Sequence, residues 1–132
     1  MPPPDFADFL EDWDGEAQSL RGRLGIDARF LGQWASLSHG EKKRAQLGHA
    51  LWRAPDVLAI DEPTNHIDAV ARDLLVDHLK RYRGVGLIVS HDRDFLDRVC
   101  TSIIAPEGNG VWHEYAGGYS DMPFAQDYDL WL

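Results

Sequence analysis

Residues 56–68 read Asp-Val-Leu-Ala-Ile-Asp-Glu-Pro-Thr-Asn-His-Ile-Asp, and this stretch constrains the rest of the chain. A continuous apolar run that ends in two adjacent carboxylates and a Pro-Thr-Asn turn is the pattern of a buried strand delivering acid groups to the rim of a sheet. Buried strands rarely end so acidic by chance.

Asp61, at the strand end, is placed to hold a divalent cation directly or through its water shell, because Mg²⁺ takes hard oxygen ligands and keeps several waters. Glu62 points elsewhere. With a phosphate ester in front of the rim, Glu62 is the group to polarise an attacking water. A bare Asp-Glu pair is more often a pair of solvated loop acids, so the flanking blocks decide between the two readings. Upstream stands Leu37-Ser38-His39-Gly40-Glu41, and downstream Leu87-Ile88-Val89-Ser90-His91-Asp92.

Ser38 to Glu41 fits a capping box, in which the Ser38 hydroxyl accepts from a backbone amide in the first turn and Glu41 reaches back to Ser38. The following helix is expected over about 39–53, with Ala45, Gly48, His49 and Trp52 along one stripe and a stop before Pro55. Lys42, Lys43 and Arg44 sit in its first turns, where positive charge opposes the helix dipole. A helix start that tolerates three cations is better explained if an anion docks there.

Asp68 is expected to cap a helix over about 69–82, with Val70, Leu74, Leu75, His78 and Leu79 facing the sheet. Gly84-Val85-Gly86 then turns the chain into a second buried strand, Leu87-Ile88-Val89. Strand, helix and strand with this crossover length predict a parallel βαβ unit that brings His91 toward Asp61 and Glu62 at the strand carboxyl ends. Asp92 is the expected cap of a short helix over 93–99. Segments 101–105 and 111–115 read as an edge hairpin about Glu107-Gly108-Asn109-Gly110. At the other end, Phe6, Phe9, Leu10 and Trp13 recur at helical spacing and Gly15 is expected to end that helix, with further helices over about 16–24 and 28–34.

In order and content these blocks resemble the nucleotide-binding domain of an ATP-binding-cassette protein, with signature motif, Walker B, D-loop and switch histidine. The runs Asp61-Glu62-Pro63-Thr64-Asn65-His66-Ile67-Asp68 and Ser90-His91-Asp92-Arg93-Asp94-Phe95-Leu96 are similar to the F subfamily, soluble tandem-cassette ATPases that act on the ribosome. The resemblance covers roughly residues 20 to 120 and rests on three motifs in order. It implies an α/β fold: part of a P-loop NTPase-type cassette, with parallel strands and crossover helices, preceded by part of the helical signature subdomain. It further implies catalytic roles for Glu62 and His91, an Mg²⁺ ligand in Asp61, and a D-loop aspartate in Asp68. Ser38, His39, Gly40 and Glu41 would then form a trans-acting signature against the γ-phosphate of ATP bound mainly by a second nucleotide-binding domain. The family usually has glycine where this chain has His39.

The implied organisation is a helical part over 1–54 with the signature helix, the C-terminal half of the ATPase core over 55–120, and an acidic aromatic tail over 121–132. ATP hydrolysis by a cassette needs a Gly-rich phosphate loop, G-x-x-x-x-G-K-[ST]. None of the twelve glycines is followed by Lys. The chain is therefore expected to be the C-terminal half of one cassette, inactive alone, with a sheet edge or apolar gap left open where the missing strand would pair.

Charge agrees with this division. The chain carries 22 acidic and 13 basic residues, net −9, which argues against a general nucleic-acid surface. All 13 bases lie within 18–106, against 11 acids, so the motif-bearing part is slightly basic. One cysteine, Cys100, precludes an intrachain disulfide, and no apolar run is long enough to span a membrane, so a cytoplasmic setting is expected.

Three function classes compete. The first is an F-subfamily ATPase using ATP and Mg²⁺, with the ribosome as a partner by resemblance. The second is a non-catalytic half-cassette that docks through its signature helix on another nucleotide-binding domain and regulates it. The third, a metal-dependent hydrolase on Asp61, His66, Asp68, His91 and Asp92, ranks last because the spacing fits the cassette motifs better.

Overall fold

The computed structural model describes residues 1–106 and 108–121. The chain divides into two compact units, Met1–Val89 and Ser90–Leu132. No helix among the described residues is long and apolar enough to cross a membrane.

The first unit begins with helix α1, Phe6–Glu11, which buries Phe6 and Phe9. It stops at Asp12, whose backbone is extended and whose carboxylate accepts from the Asp14 amide at 2.9 Å and from Trp52 Nε1 at 2.7 Å. Gly15 therefore opens α2, Gly15–Leu24, rather than ending α1, and Trp13 is exposed in the link. That corrects the helical reading of Trp13: the Asp12 and Asp14 side chains compete for backbone amides and end the helix early. Gly25, at φ +67, closes α2 in the left-handed region. A short α3, Arg29–Gly32, and a 3₁₀ turn, Trp34–Ser36, lead to α4, His39–Arg53.

Helix α4 has the predicted bounds and buries Ala45, Leu47, Gly48, His49 and Leu51. A methyl on Gly48 would lie 2.7 Å from Ile26 Cδ1 and 3.1 Å from Leu24 Cδ1, so glycine lets α4 approach the end of α2. Phe6, Phe9, Trp34, His49 and Trp52 form a continuous aromatic cluster with ring centroids 5.5–6.3 Å apart. This cluster is the core of the helical part.

Strand β1, Val57–Asp61, pairs in parallel with β2, Val85–Val89, across α5, Ala69–Lys80. The register sets Val57 beside Val85 and Asp61 beside Val89. Asp68 caps α5 as expected, its Oδ1 accepting from the Ala71 amide at 2.8 Å. Helix α5 ends at Lys80, two residues before the predicted end. It buries Leu74, Leu75, Val76, His78 and Leu79, while Val70 is exposed.

The expectation of two buried strands is corrected. Leu58 is buried and Ile60 and Ile88 are half-buried, but Val57, Val85, Leu87 and Val89 are more than half exposed. Side chains alternate across a strand, so this two-stranded sheet has one covered face and one open apolar face. The predicted turn also proves to be strand: Val85 donates to the Asp56 carbonyl at 2.8 Å and starts the ladder there.

In the second unit, α6, Arg93–Val99, is capped by Asp92 Oδ1 accepting from the Phe95 amide at 3.0 Å. Strands β3, Ser102–Pro106, and β4, Trp112–Ala116, pair antiparallel. The hairpin is its own two-stranded sheet, not an edge of the β1–β2 sheet. Residue 107 of its turn, and the tail from 122 onward, lie outside the described residues. The Ser120 amide and hydroxyl both donate to Asp97, at 2.8 and 2.5 Å, and hold its carboxyl below the usual range. Arg93 lies over the Tyr119 ring at 5.3 Å.

Candidate functional site: the strand rim and the start of α4

Asp61 is the last residue of β1, and its side chain is exposed at the carboxyl end of the parallel pair. Glu62 is half-buried, its amide donates to the Val89 carbonyl at 2.7 Å, and its φ is +49. The turn closes with Asn65 N–H donating to the Glu62 carbonyl at 3.3 Å and ends at His66, again left-handed at φ +66. Two non-glycine residues in this region within five positions cost on the order of 1 kcal/mol each. Such strain persists only where the surroundings fix it. Pro63, fully buried, anchors the turn between them.

The capping box at Ser38 is present in both directions. Ser38 Oγ accepts from the Glu41 amide at 3.1 Å, and Glu41 Oε1 accepts from the Ser38 amide at 3.0 Å. Arg29 Nη2 pairs with Glu41 Oε2 at 2.6 Å. The Ser38 amide, then Arg29, hold the Glu41 carboxyl below its usual range. Glu41 is thus occupied within the chain, while the Ser38 hydroxyl keeps a proton to donate.

Of the three cations at the α4 start, Arg44 is also tied into the fold. Its Nε donates to the Leu24 carbonyl at 2.9 Å and its Nη1 to the His66 carbonyl at 3.4 Å, so two of the five donors of the guanidinium serve the fold. Lys42 and Lys43 remain as half-exposed charges in the first turns.

The start of α4 and the turn after β1 lie against each other. A methyl on Gly40 would stand 3.1 Å from His66 Cβ, and the His39 and His66 rings meet edge to face, 6.1 Å apart with planes at 88°. Within one unit the fold therefore gathers Ser38, His39, Gly40 and Glu41 beside the turn that joins Glu62 to Asp68. His91 belongs to the second unit, is exposed, and follows two residues after Val89. Sequence reasoning gave His66 a role only in the metal-hydrolase reading and missed both its contact with the α4 start and the Arg44 bridge. Neither contact follows from spacing, since both join segments twenty or more residues apart.

A cleft of about 390 Å³ opens at the other end of the strands, among Trp52, Asp56, His78, Arg81 and Tyr82. None of the predicted site residues lines it. Those of the first unit lie at the carboxyl end of β1 and at the start of α4, the end of a parallel α/β sheet at which ligands commonly bind. Among the described residues, no three His, Cys, Asp or Glu converge as a metal-binding group, which leaves the metal-hydrolase reading without geometric support.

The comparisons agree with this architecture. The solved structure of an RNase-L Inhibitor shares the fold at a TM-score of 0.62 and 22% identity, over 88% of this chain and 24% of that one. Residues 11–65 match the family model described as ABC transporter. The sequence is 38% identical over 126 residues to the ATP-binding protein Uup of Caulobacter vibrioides, covering 87% of this chain and 21% of that protein. It is 42% identical over 118 residues to the ribosome protection protein VmlR of Bacillus subtilis, covering 84% and 21%. Against the ABC transporter F family member 5 of Arabidopsis thaliana the identity is 43% over 114 residues, covering 84% and 16%. Parallel strands behind a helical lead-in, with these likenesses, are those of an ABC transporter ATP-binding domain. The chain belongs to the ABC transporter ATP-binding family, in which the F family fits it. It spans about a fifth of the length of these curated relatives.

Proposed function

We propose that this chain supplies the water-activating, metal-binding and trans-acting groups of an F-type cassette that binds and hydrolyses ATP. Residues 1–54 then act as the signature-bearing helical part, 55–120 as the C-terminal half of the ATPase core, and 121–132 as a tail. Glu62 orients the attacking water, His91 contacts the γ-phosphate, and Asp61 offers a hard oxygen ligand to Mg²⁺. Ser38, His39, Gly40 and Glu41 face the γ-phosphate of ATP held by a second nucleotide-binding domain, with Asp68 beside them. When bound, Mg²⁺ neutralises charge on the phosphate oxygens.

One observation carries the reading: a capped helix start and a strained acidic turn are packed together at the carboxyl end of parallel strands. The donor set fits in part. An exposed strand-end carboxylate suits an Mg²⁺ that keeps its water shell. Of the cradle for the remaining phosphates, the 132 residues contain no G-x-x-x-x-G-K-[ST]. A truncated cassette, inactive alone and completed by a partner's phosphate loop, accounts for both facts. The ribosome is the proposed larger partner, since one relative is named for ribosome protection, and the setting is cytoplasmic.

The test is calorimetric titration of Mg-ATP into the chain, followed by ATPase assays with a cassette that carries a phosphate loop. The expected result is no saturable heat alone and added hydrolysis on mixing, lost in Glu62→Gln. Turnover no higher than that of the added cassette would overturn the reading. If turnover of a complete cassette instead slows, the second reading holds, in which the intact α4 start docks as a regulatory half-site.

A further inference from the structure

We propose that His66 is a positioning residue that clamps the turn leaving β1 to the start of α4, so that Glu62 and the Ser38–Gly40 segment move as one body. The clamp rests on the reading above for the roles of Glu62 and Ser38. Its geometry stands independently.

Three contacts converge on His66. Its Cβ lies 3.1 Å from the position that a side chain on Gly40 would take, so only a glycine lets the turn approach the helix this closely without a shift. The His66 carbonyl accepts from Arg44 Nη1 at 3.4 Å, and its ring meets His39 edge-on. Arg44 Nε holds the Leu24 carbonyl as well, so one guanidinium ties the end of α2 to the same turn. The left-handed backbone of His66, at φ +66, presents its carbonyl and side chain to α4 together.

The link from His66 to Glu62 is short and stiff. Three residues separate them, the first is a fully buried proline, and Asn65 donates back to the Glu62 carbonyl. A displacement of the α4 start is therefore passed to the Glu62 backbone with few rotatable bonds to absorb it. In a head-to-tail pair, the α4 start and Glu62 serve different nucleotides. The clamp makes engagement of one set the position of the other. His39 gives this chain a ring-to-ring contact that a glycine there would lack.

Amide hydrogen exchange on the full chain tests this, comparing wild type with His66→Asn and Arg44→Gln. Asparagine tolerates the left-handed backbone, so the turn keeps its path while the ring contact is lost. Arg44→Gln leaves the turn's own sequence untouched and serves if His66→Asn does not fold. The expected result is exchange rising about tenfold both at residues 62–68 and at residues 39–42, the factor given by losing about one hydrogen bond's worth of coupling. Exchange that rises in the turn alone, with the α4 start unchanged, overturns the clamp. A His78→Asn control, at a buried site away from the rim, separates local release from global destabilisation: an equal rise in that variant also overturns it. The ATPase readout is kept apart. No hydrolysis by wild type with a phosphate-loop cassette counts against the functional reading and leaves the exchange result standing. With hydrolysis present, His66→Asn is expected to lower kcat with KM little changed, and His66→Gln to recover less than half of the loss.

Discussion

The Glu62 amide, one step beyond the last paired residue of β1, donates to the carbonyl of Val89, the last paired residue of β2, at 2.7 Å. This bond fixes the backbone of Glu62 where the strand ends, and its left-handed φ of +49 turns the chain off the line of the strand at that residue.

Glu62→Gln keeps the backbone and the shape while removing the proposed base. Hydrolysis by the complemented cassette is expected to fall about a hundredfold or more, the scale of a lost general base. Circular dichroism and the melting midpoint should stay at wild-type values. A variant that retains hydrolysis within a few-fold would remove Glu62 from the chemistry.

Ser38 has two separable roles, as helix cap and as proposed phosphate donor. Ser38→Ala is expected to cost about 1 kcal/mol in urea unfolding through the lost cap. Ser38→Asp keeps a capping oxygen and should recover most of that stability. It also sets a negative charge where the γ-phosphate is proposed to dock, so complemented hydrolysis should be lower in Ser38→Asp than in Ser38→Ala. Equal activity in the two would separate the α4 start from phosphate binding.

His49 and His78 link stability to pH. Burial is the first cause that lowers the pKa of each from the usual 6.5. The Pro4 backbone and Asp5 oppose this for His49 while Arg53 reinforces it; Glu16, at 3.3 Å, and Asp77 oppose it for His78 while Arg81 reinforces it. Among the described residues, His49 Nε2 has no hydrogen-bond partner. A depressed folded pKa favours the neutral form in the native state. The stability is therefore full above about 6.5 and is lost as pH falls from there through the lowered folded values. Urea midpoints for wild type should drop between pH 7 and pH 5, and His49→Phe with His78→Gln should flatten that slope. An unchanged slope would rule out these two histidines as its source.

The two faces of the β1–β2 sheet should respond oppositely to substitution. Leu58→Ala, on the covered face, is expected to cost about 2–5 kcal/mol. Leu87→Thr, on the open face, should change stability by no more than about 0.5 kcal/mol. Thermal unfolding of both variants checks this, and a large loss at Leu87 would show that its face is covered in solution.

Much of the local structure was legible in the sequence. The capping boxes and aspartate caps, at Ser38, Asp68 and Asp92, obey short-range rules in which a side chain finds an amide two or three residues away. The bounds of α4 and the parallel direction of β1 and β2 follow from such local signals and the crossover length, whereas their register does not. Failures came where a local rule met a competitor. Trp13 had helical spacing, but the Asp12 and Asp14 carboxylates took the amides that would have continued α1. The apolar runs of β1 and β2 announced strands without telling how many faces are covered, because coverage depends on what else packs there.

The sequence by itself determined the order of elements, the acidic rim at the end of β1 and the capped start of α4, since each is set by bonding and sterics within a few residues. Only the tertiary structure decided that Arg44 bridges Leu24 and His66. It alone placed His66 against Gly40 and left one sheet face open. These are contacts between segments distant in the chain, and their geometry is fixed by how the elements pack, which no local pattern encodes.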